Sequence, residues 1–115
     1  MPRFVVLEHD YPTRHWDFML EDAGKLRTWR LAAPPQANHQ IRAQKSFDHR
    51  SVYLEYEGPV SGDRGNVVRW DAGTFEWLLD EPGLAKVMLA GRRLRGTATL
   101  REESGNEWVV GMGDD

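Results

Sequence analysis

Short apolar runs alternate with turn-forming residues along the whole chain, and none is long enough or periodic enough for a long helix. RFVVLEH (3–9), HWDFMLE (15–21), KLRTWRLA (25–32), SVYLEYEG (51–58), NVVRWD (66–71), AGTFEWLLD (72–80), AKVMLAG (85–91), RRLRGTATLREE (92–103) and NEWVVGM (106–112) all read as strands. Asp-Ala-Gly at 22–24, SGDRG at 61–65 and a second Asp-Ala-Gly at 71–73 punctuate them. Residues 33–50 are less regular. Pro34 and Pro35 break structure, and ANHQIRAQ (37–44) reads as one short helix. The expected fold is all-β, a small antiparallel barrel of about eight strands with one short helix. A chain of 115 residues fits one domain, 1–115, with an ordinary core.

Composition removes several function classes. There is no cysteine, hence no disulfide framework, thiolate metal site or cysteine nucleophile, which suits a cytoplasmic protein. The N-terminal apolar run is too short for a signal-peptide core. No stretch approaches the ~20 apolar residues of a membrane span, so no membrane role is expected. The net charge of −3 gives no overall attraction to nucleic acid. Local basic faces could still supply it, around Arg92, Arg93, Arg95 and Arg101, or around Arg42, Lys45 and Arg50. A solvated surface is the simpler account of both. The five tryptophans read as core or covering residues, with an exposed one able to stack a terminal base; Trp77 is the candidate.

The stretch LEHDYPTRHWDFMLED (7–22) carries the chemistry. Alternation puts His15, Asp17 and Met19 on one face of its strand, and Trp16, Phe18 and Leu20 on the other. The aromatic set belongs to the core, which leaves His15 and Asp17 aimed together elsewhere. If the first two strands form a hairpin, His9 lies beside His15 at about 5 Å across the ladder. Two imidazoles and a carboxylate form a donor set for Zn²⁺, Mn²⁺ or Fe²⁺ with positions left open. A His-x-Asp surface hydrogen bond is the competing account. Further on, His49 precedes Tyr53 by four residues, an imidazole and a phenol able to act as acid, base or phosphate contact. His15, Asp17 and His49 also mimic the triad of iron oxygenases, but that chemistry uses a longer chain and leaves His9 unexplained.

These residues resemble the 3′-phosphoesterase domain of bacterial DNA ligase D. EHDYPTRHWDFMLE is similar to that family's Glu-His-Asp, four residues, His-Tyr-Asp-Phe-Arg-Leu-Glu. GKLRTWRL, DHRSVYLEYEG, VRWDAGTFE and LAGRRLRGTATLRE resemble four further family motifs, in order, over residues 4–103. The resemblance implies a small β-barrel with a metal-bearing groove. It also implies removal of a 3′-terminal ribonucleoside and then a 3′-phosphate from DNA or RNA–DNA ends, in DNA repair by non-homologous end joining, with manganese as the usual metal. On it, His9, His15 and Asp17 are metal ligands, His49 contacts the scissile phosphate, and Tyr53 supports it.

Arg42 stands one position from the basic residue the family carries before its Asp-His pair. Arg14 and Arg50 are candidates for substrate binding. Ligase and polymerase would be separate proteins, and the chain a monomer. The chain departs from the family where phosphate-binding charge is expected: Met19 replaces an arginine, Ala33 replaces a lysine, and the loop SGDRGNV is shortened, with Arg14, Arg27, Arg30, Arg42 or Arg50 able to compensate. Three readings follow: a phosphoesterase for nucleic-acid 3′ ends, a catalytically weak metal-containing barrel that binds nucleic acid or a partner, and a hydrolase of small phosphate compounds.

Overall fold

The structure, a computed structural model, describes residues 1–113. Ten strands run in chain order: β1 (Arg3–His9), β2 (His15–Asp22), β3 (Lys25–Leu31), β4 (Gln40–Lys45), β5 (His49–Arg50), β6 (Gly58–Pro59), β7 (Asn66–Glu81), β8 (Leu84–Gly91), β9 (Arg95–Ser104) and β10 (Glu107–Gly113). Eight of them close an antiparallel barrel in the order β1-β2-β3-β4-β10-β9-β8-β7, with β7 pairing back onto β1. Closure satisfies the edges that an open sheet would leave exposed. The short β5 and β6 lie off this ring, against β3 and β7. Among the described residues no helix is long and apolar enough to cross a membrane.

Alternation along the strands builds two apolar clusters. Phe4, Phe18, Trp29, Phe75, Leu100 and Trp108 point inward and fill the barrel, Trp29 meeting Trp108 edge to face at 5.7 Å. The opposite faces of β1, β2 and β3 carry Val5, Leu7, Met19 and Leu26. These would lie in water but for residues 46–65, which leave the barrel, cross its outside and set Leu54, Tyr53, Tyr56 and Val60 on them. The second cluster is therefore a small core on the barrel's outer surface.

The structure corrects three local expectations. ANHQIRAQ holds no helix: Gln40–Lys45 is strand β4, with Ile41 and Ala43 buried and Arg42 and Gln44 exposed, a period of two. Among the described residues the one helical element is a 3-10 turn, Ser51–Leu54, within the segment expected to be a strand; it turns Leu54 onto the outer cluster.

NVVRWD and AGTFEWLLD are a single strand, β7, without a break at the second Asp-Ala-Gly. Gly73 marks a close approach, not a turn: a Cβ there would lie 2.1 Å from the Ala90 carbonyl oxygen of β8. The first Asp-Ala-Gly is the β2–β3 turn, with positive φ at Ala23 (53°) and Gly24 (81°).

Candidate metal centre and groove

The β1–β2 hairpin sets His9 directly opposite His15, with ring centroids 4.9 Å apart. Asp17 follows two residues along β2 on the same face. His15 is 4% exposed and Asp17 5%. One nitrogen of each ring is tied to the main chain. His15 Nδ1 donates to the Thr13 carbonyl at 2.8 Å, and His9 Nε2 to the Arg64 carbonyl at 2.8 Å. The other nitrogens face one oxygen: His15 Nε2 lies 3.2 Å and His9 Nδ1 3.9 Å from Asp17 Oδ2.

One donor atom from each of the three residues lies within 4.8 Å of the others. A carbonyl that takes one ring proton fixes the tautomer and turns the other nitrogen's lone pair toward a cation. This donor set fits a divalent metal.

Two of the three donor residues, His9 and Asp17, line a groove of about 350 Å³ between the barrel wall and residues 46–65. Three guanidinium-bearing residues line it: Arg30, Arg50 and Arg64. Arg30 is the cross-strand neighbour of Asp17, and its buried Nε has no hydrogen-bond partner among the described residues. Met19 packs in the floor, fully buried.

His49 enters from the opposite side. Its Nδ1 donates to the Phe47 carbonyl at 3.0 Å, its face stacks on Phe47, and the edge of Tyr53 meets it at 5.8 Å. Burial lowers the His49 pKa from its ordinary value; Asp17 pulls it back up, while Arg30 and His9 press it further down. The ring therefore favours its neutral form, with Nε2 unprotonated.

The groove thus gathers His9, Asp17, His49, Tyr53 and Arg50, with His15 behind them. It does not gather Arg14 or Arg42. Arg14 pairs with Glu8 and lies over Trp16, 5.8 Å from the ring centre. Glu8 and Trp16 alternate with His9 and Asp17, so that pair belongs to the other side of the hairpin. Arg42 lies beside Val109 of β10, where it lines a separate shallow surface with Glu103 and Glu107. Nor do Arg42, Lys45 and Arg50 form one basic face: the Lys45 ammonium sits over Trp29 at 4.9 Å, bonded to the Thr28 and Ser46 carbonyls. Arg92 and Arg93 lie on a turn fixed by the Asp71 carboxylate, which accepts their backbone N–H groups and that of Leu94.

Several lining residues escaped the sequence reading as parts of the groove, Arg64 and Phe47 among them. Among the five arginines able to compensate for the missing charge, register singles out Arg30: the turn at 23–24 pairs Asp22 with Lys25, and counting back along both strands brings Asp17 to Arg30. Arg64 contributes its carbonyl, for which side-chain identity carries no signal. Phe47 sits in a stretch without periodicity.

Fold and site together define a class: a small β-barrel with a His-His-Asp centre in an arginine-lined groove on its outer wall. Residues 7–102 match the family described as the DNA Ligase D 3′-phosphoesterase domain, and the chain belongs to that family. It is 33% identical over 116 residues to the multifunctional non-homologous end joining protein LigD of Mycobacterium bovis, covering 93% of this chain and 15% of the relative. The LigD of Pseudomonas aeruginosa is 31% identical over 104 residues, 82% of this chain and 12% of its own. That of Mycolicibacterium smegmatis is 28% identical over 124 residues, 94% and 16%. The chain thus spans about a sixth or less of the curated relatives it matches.

Proposed function

We propose that this chain is a metal-dependent phosphoesterase acting on 3′ ends of nucleic acid, removing a 3′-phosphate or a 3′-terminal ribonucleotide during end joining. One observation carries the reading: two anchored imidazole nitrogens and Asp17 Oδ2 converge beside a groove that three arginines line. His9, His15 and Asp17 hold the cation, Mn²⁺ first and Zn²⁺ as the alternative. When bound, it supplies Lewis acidity toward phosphoryl oxygens and activation of water.

The chain's own groups do the rest. Arg30 and Arg50 bind non-bridging oxygens of the phosphate; the planar fork of a guanidinium suits two of them at once. The Arg64 guanidinium is held by the Ser61 carbonyl and hydroxyl. His49, neutral and held through Nδ1, presents Nε2 for proton exchange as water adds to phosphorus and the ester oxygen leaves. Tyr53 keeps its ring in place from the edge. In this reading Arg30 supplies the charge that Met19 and Ala33 do not, and Arg30→Ala lowers turnover by about 10²-fold.

The test is a manganese-dependent assay on primer–templates ending in a 3′-phosphate or a 3′-ribonucleotide, with His9→Ala and His49→Ala alongside. Conversion to a 3′-hydroxyl by the unsubstituted protein, lost in both variants, is the expected result. The buried Met19 favours a second reading, a metal-containing barrel that binds nucleic acid without processing it. Manganese bound through His9, His15 and Asp17 without conversion would select that reading.

A further inference from the structure

We infer that Phe47 is a stacking platform for the terminal nucleobase of the strand whose 3′ end enters the groove. This rests on the reading of the groove as a site for nucleic-acid 3′ ends and specifies what accompanies the phosphate there.

Phe47 is 73% exposed, more than any described large hydrophobic residue except Met1 at the chain start. A phenyl ring in water at the rim of a polar groove contributes nothing to the fold: Phe47 belongs to neither apolar cluster. Its position is nevertheless fixed. One face lies on the His49 ring with centroids 4.7 Å apart and planes 7° from parallel. His49 is braced by Tyr53, and Tyr53 by Tyr56, each edge to face. The row of rings starts in the outer core and ends at Phe47.

Tyr11, 44% exposed, lines the same groove from the β1–β2 loop. The tryptophans do not offer such a surface: all five are buried or half-buried, and Trp77 packs on the barrel core beneath Arg27.

A flat ring beside guanidinium groups suits a ligand with a π-face and an anionic group, as a nucleotide has. Every base has such a face, so stacking confers affinity without sequence preference. An inorganic or sugar phosphate would leave Phe47 unused. The platform therefore selects 3′ ends that bear a base over small phosphate compounds.

The experiment measures binding, not turnover. Fluorescence anisotropy would follow metal-free protein with two labelled oligonucleotides ending in a 3′-phosphate, one with adenine on the last nucleotide and one abasic there. Phe47→Ala, Phe47→Leu and Phe47→Trp would be compared with the unsubstituted chain. The expected result is about ten-fold tighter binding of the base-bearing probe, abolished in the Ala and Leu variants and kept in the Trp variant. The abasic probe should bind all four proteins alike.

Equal affinity of the unsubstituted protein for both probes, weak or strong, overturns the inference. So does an equal loss for both probes in Phe47→Ala, which would make Phe47 a cover for His49 only. A base preference without hydrolysis in the manganese assay leaves the platform standing and removes the catalytic reading.

Discussion

The molecule has two apolar cores, and they do different things. The inner one fills the barrel and is sealed by eight strands that pair into a ring. The outer one, around Val5, Leu7, Met19 and Leu54, is sealed by a single excursion of the chain. Only the outer core touches the site: Leu7, Met19, Tyr53, Val60 and Val67 are both members or neighbours of that cluster and walls of the groove. The hairpin β1–β2 belongs to both, one face to each. The closed ring thus positions His9, His15 and Asp17, while a thinner layer forms the other bank of the groove. Stability and site shape are separable on this account.

The largest effect that could break this division comes from the inner core. Trp29→Ala should cost about 3–5 kcal/mol, and calorimetry should show the barrel and manganese binding lost in one transition. If metal binding survives the loss of the barrel, the ring does not position the donors.

Asp17→Asn comes next. It removes the oxygen that both histidines face while keeping the shape, so manganese affinity by titration calorimetry should fall by at least about a hundred-fold. The melting temperature of the metal-free protein should stay close to its original value.

Leu54→Ala, in the outer core, should cost about 2 kcal/mol, the low end for such a truncation, because the excursion can settle into the space. Hydrogen exchange should quicken at amides of residues 49–60 and stay slow in β8 and β9. A uniform change across the barrel would merge the two cores into one.

The smallest effect is a pH dependence confined to the groove. Burial holds His49 below its ordinary 6.5, so the unfolded chain binds more protons than the folded one as pH falls through that value. Metal-free protein should therefore keep its full stability above that pH and lose a small part of it as pH falls below 6.5. Denaturant midpoints of His49→Gln should lack this increment.

The sequence made one half of this picture easier to read than the other. Strands of the ring announce themselves by period-two patterning, and the parity of His15 and Asp17 against Trp16 and Phe18 is local information. The outer core has no such period. SVYLEYEG alternates well enough to pass for a strand, yet a 3-10 turn wins because Leu54 is drawn onto the barrel's outer wall by distant residues. The two Asp-Ala-Gly tripeptides show the same limit. At 22–24 glycine supplies a positive φ; at 71–73 it makes room for a neighbouring strand.

Arg14 and Arg42 looked suitable by charge and proximity in sequence, but the hairpin's parity and a strand's placement beside β10 carried them away. Arg30 stood among five compensating arginines, and only the register fixed by the turn set it apart from the others.

The anchoring of the two histidines has a consequence for how such a site can vary. Their outer partners are carbonyl oxygens of Thr13 and Arg64, groups that every residue possesses. Replacing either side chain leaves the anchor in place. Adding or deleting one residue in the connections 10–14 or 60–65 does not, because the carbonyl then arrives at a different point. The centre is insulated against exchange of those two letters and exposed to changes of length, and it also needs glycine at 65, where a Cβ would lie 2.2 Å from Asp10 Oδ1. Loop length, together with the glycine at 65, is what an engineer would have to hold constant.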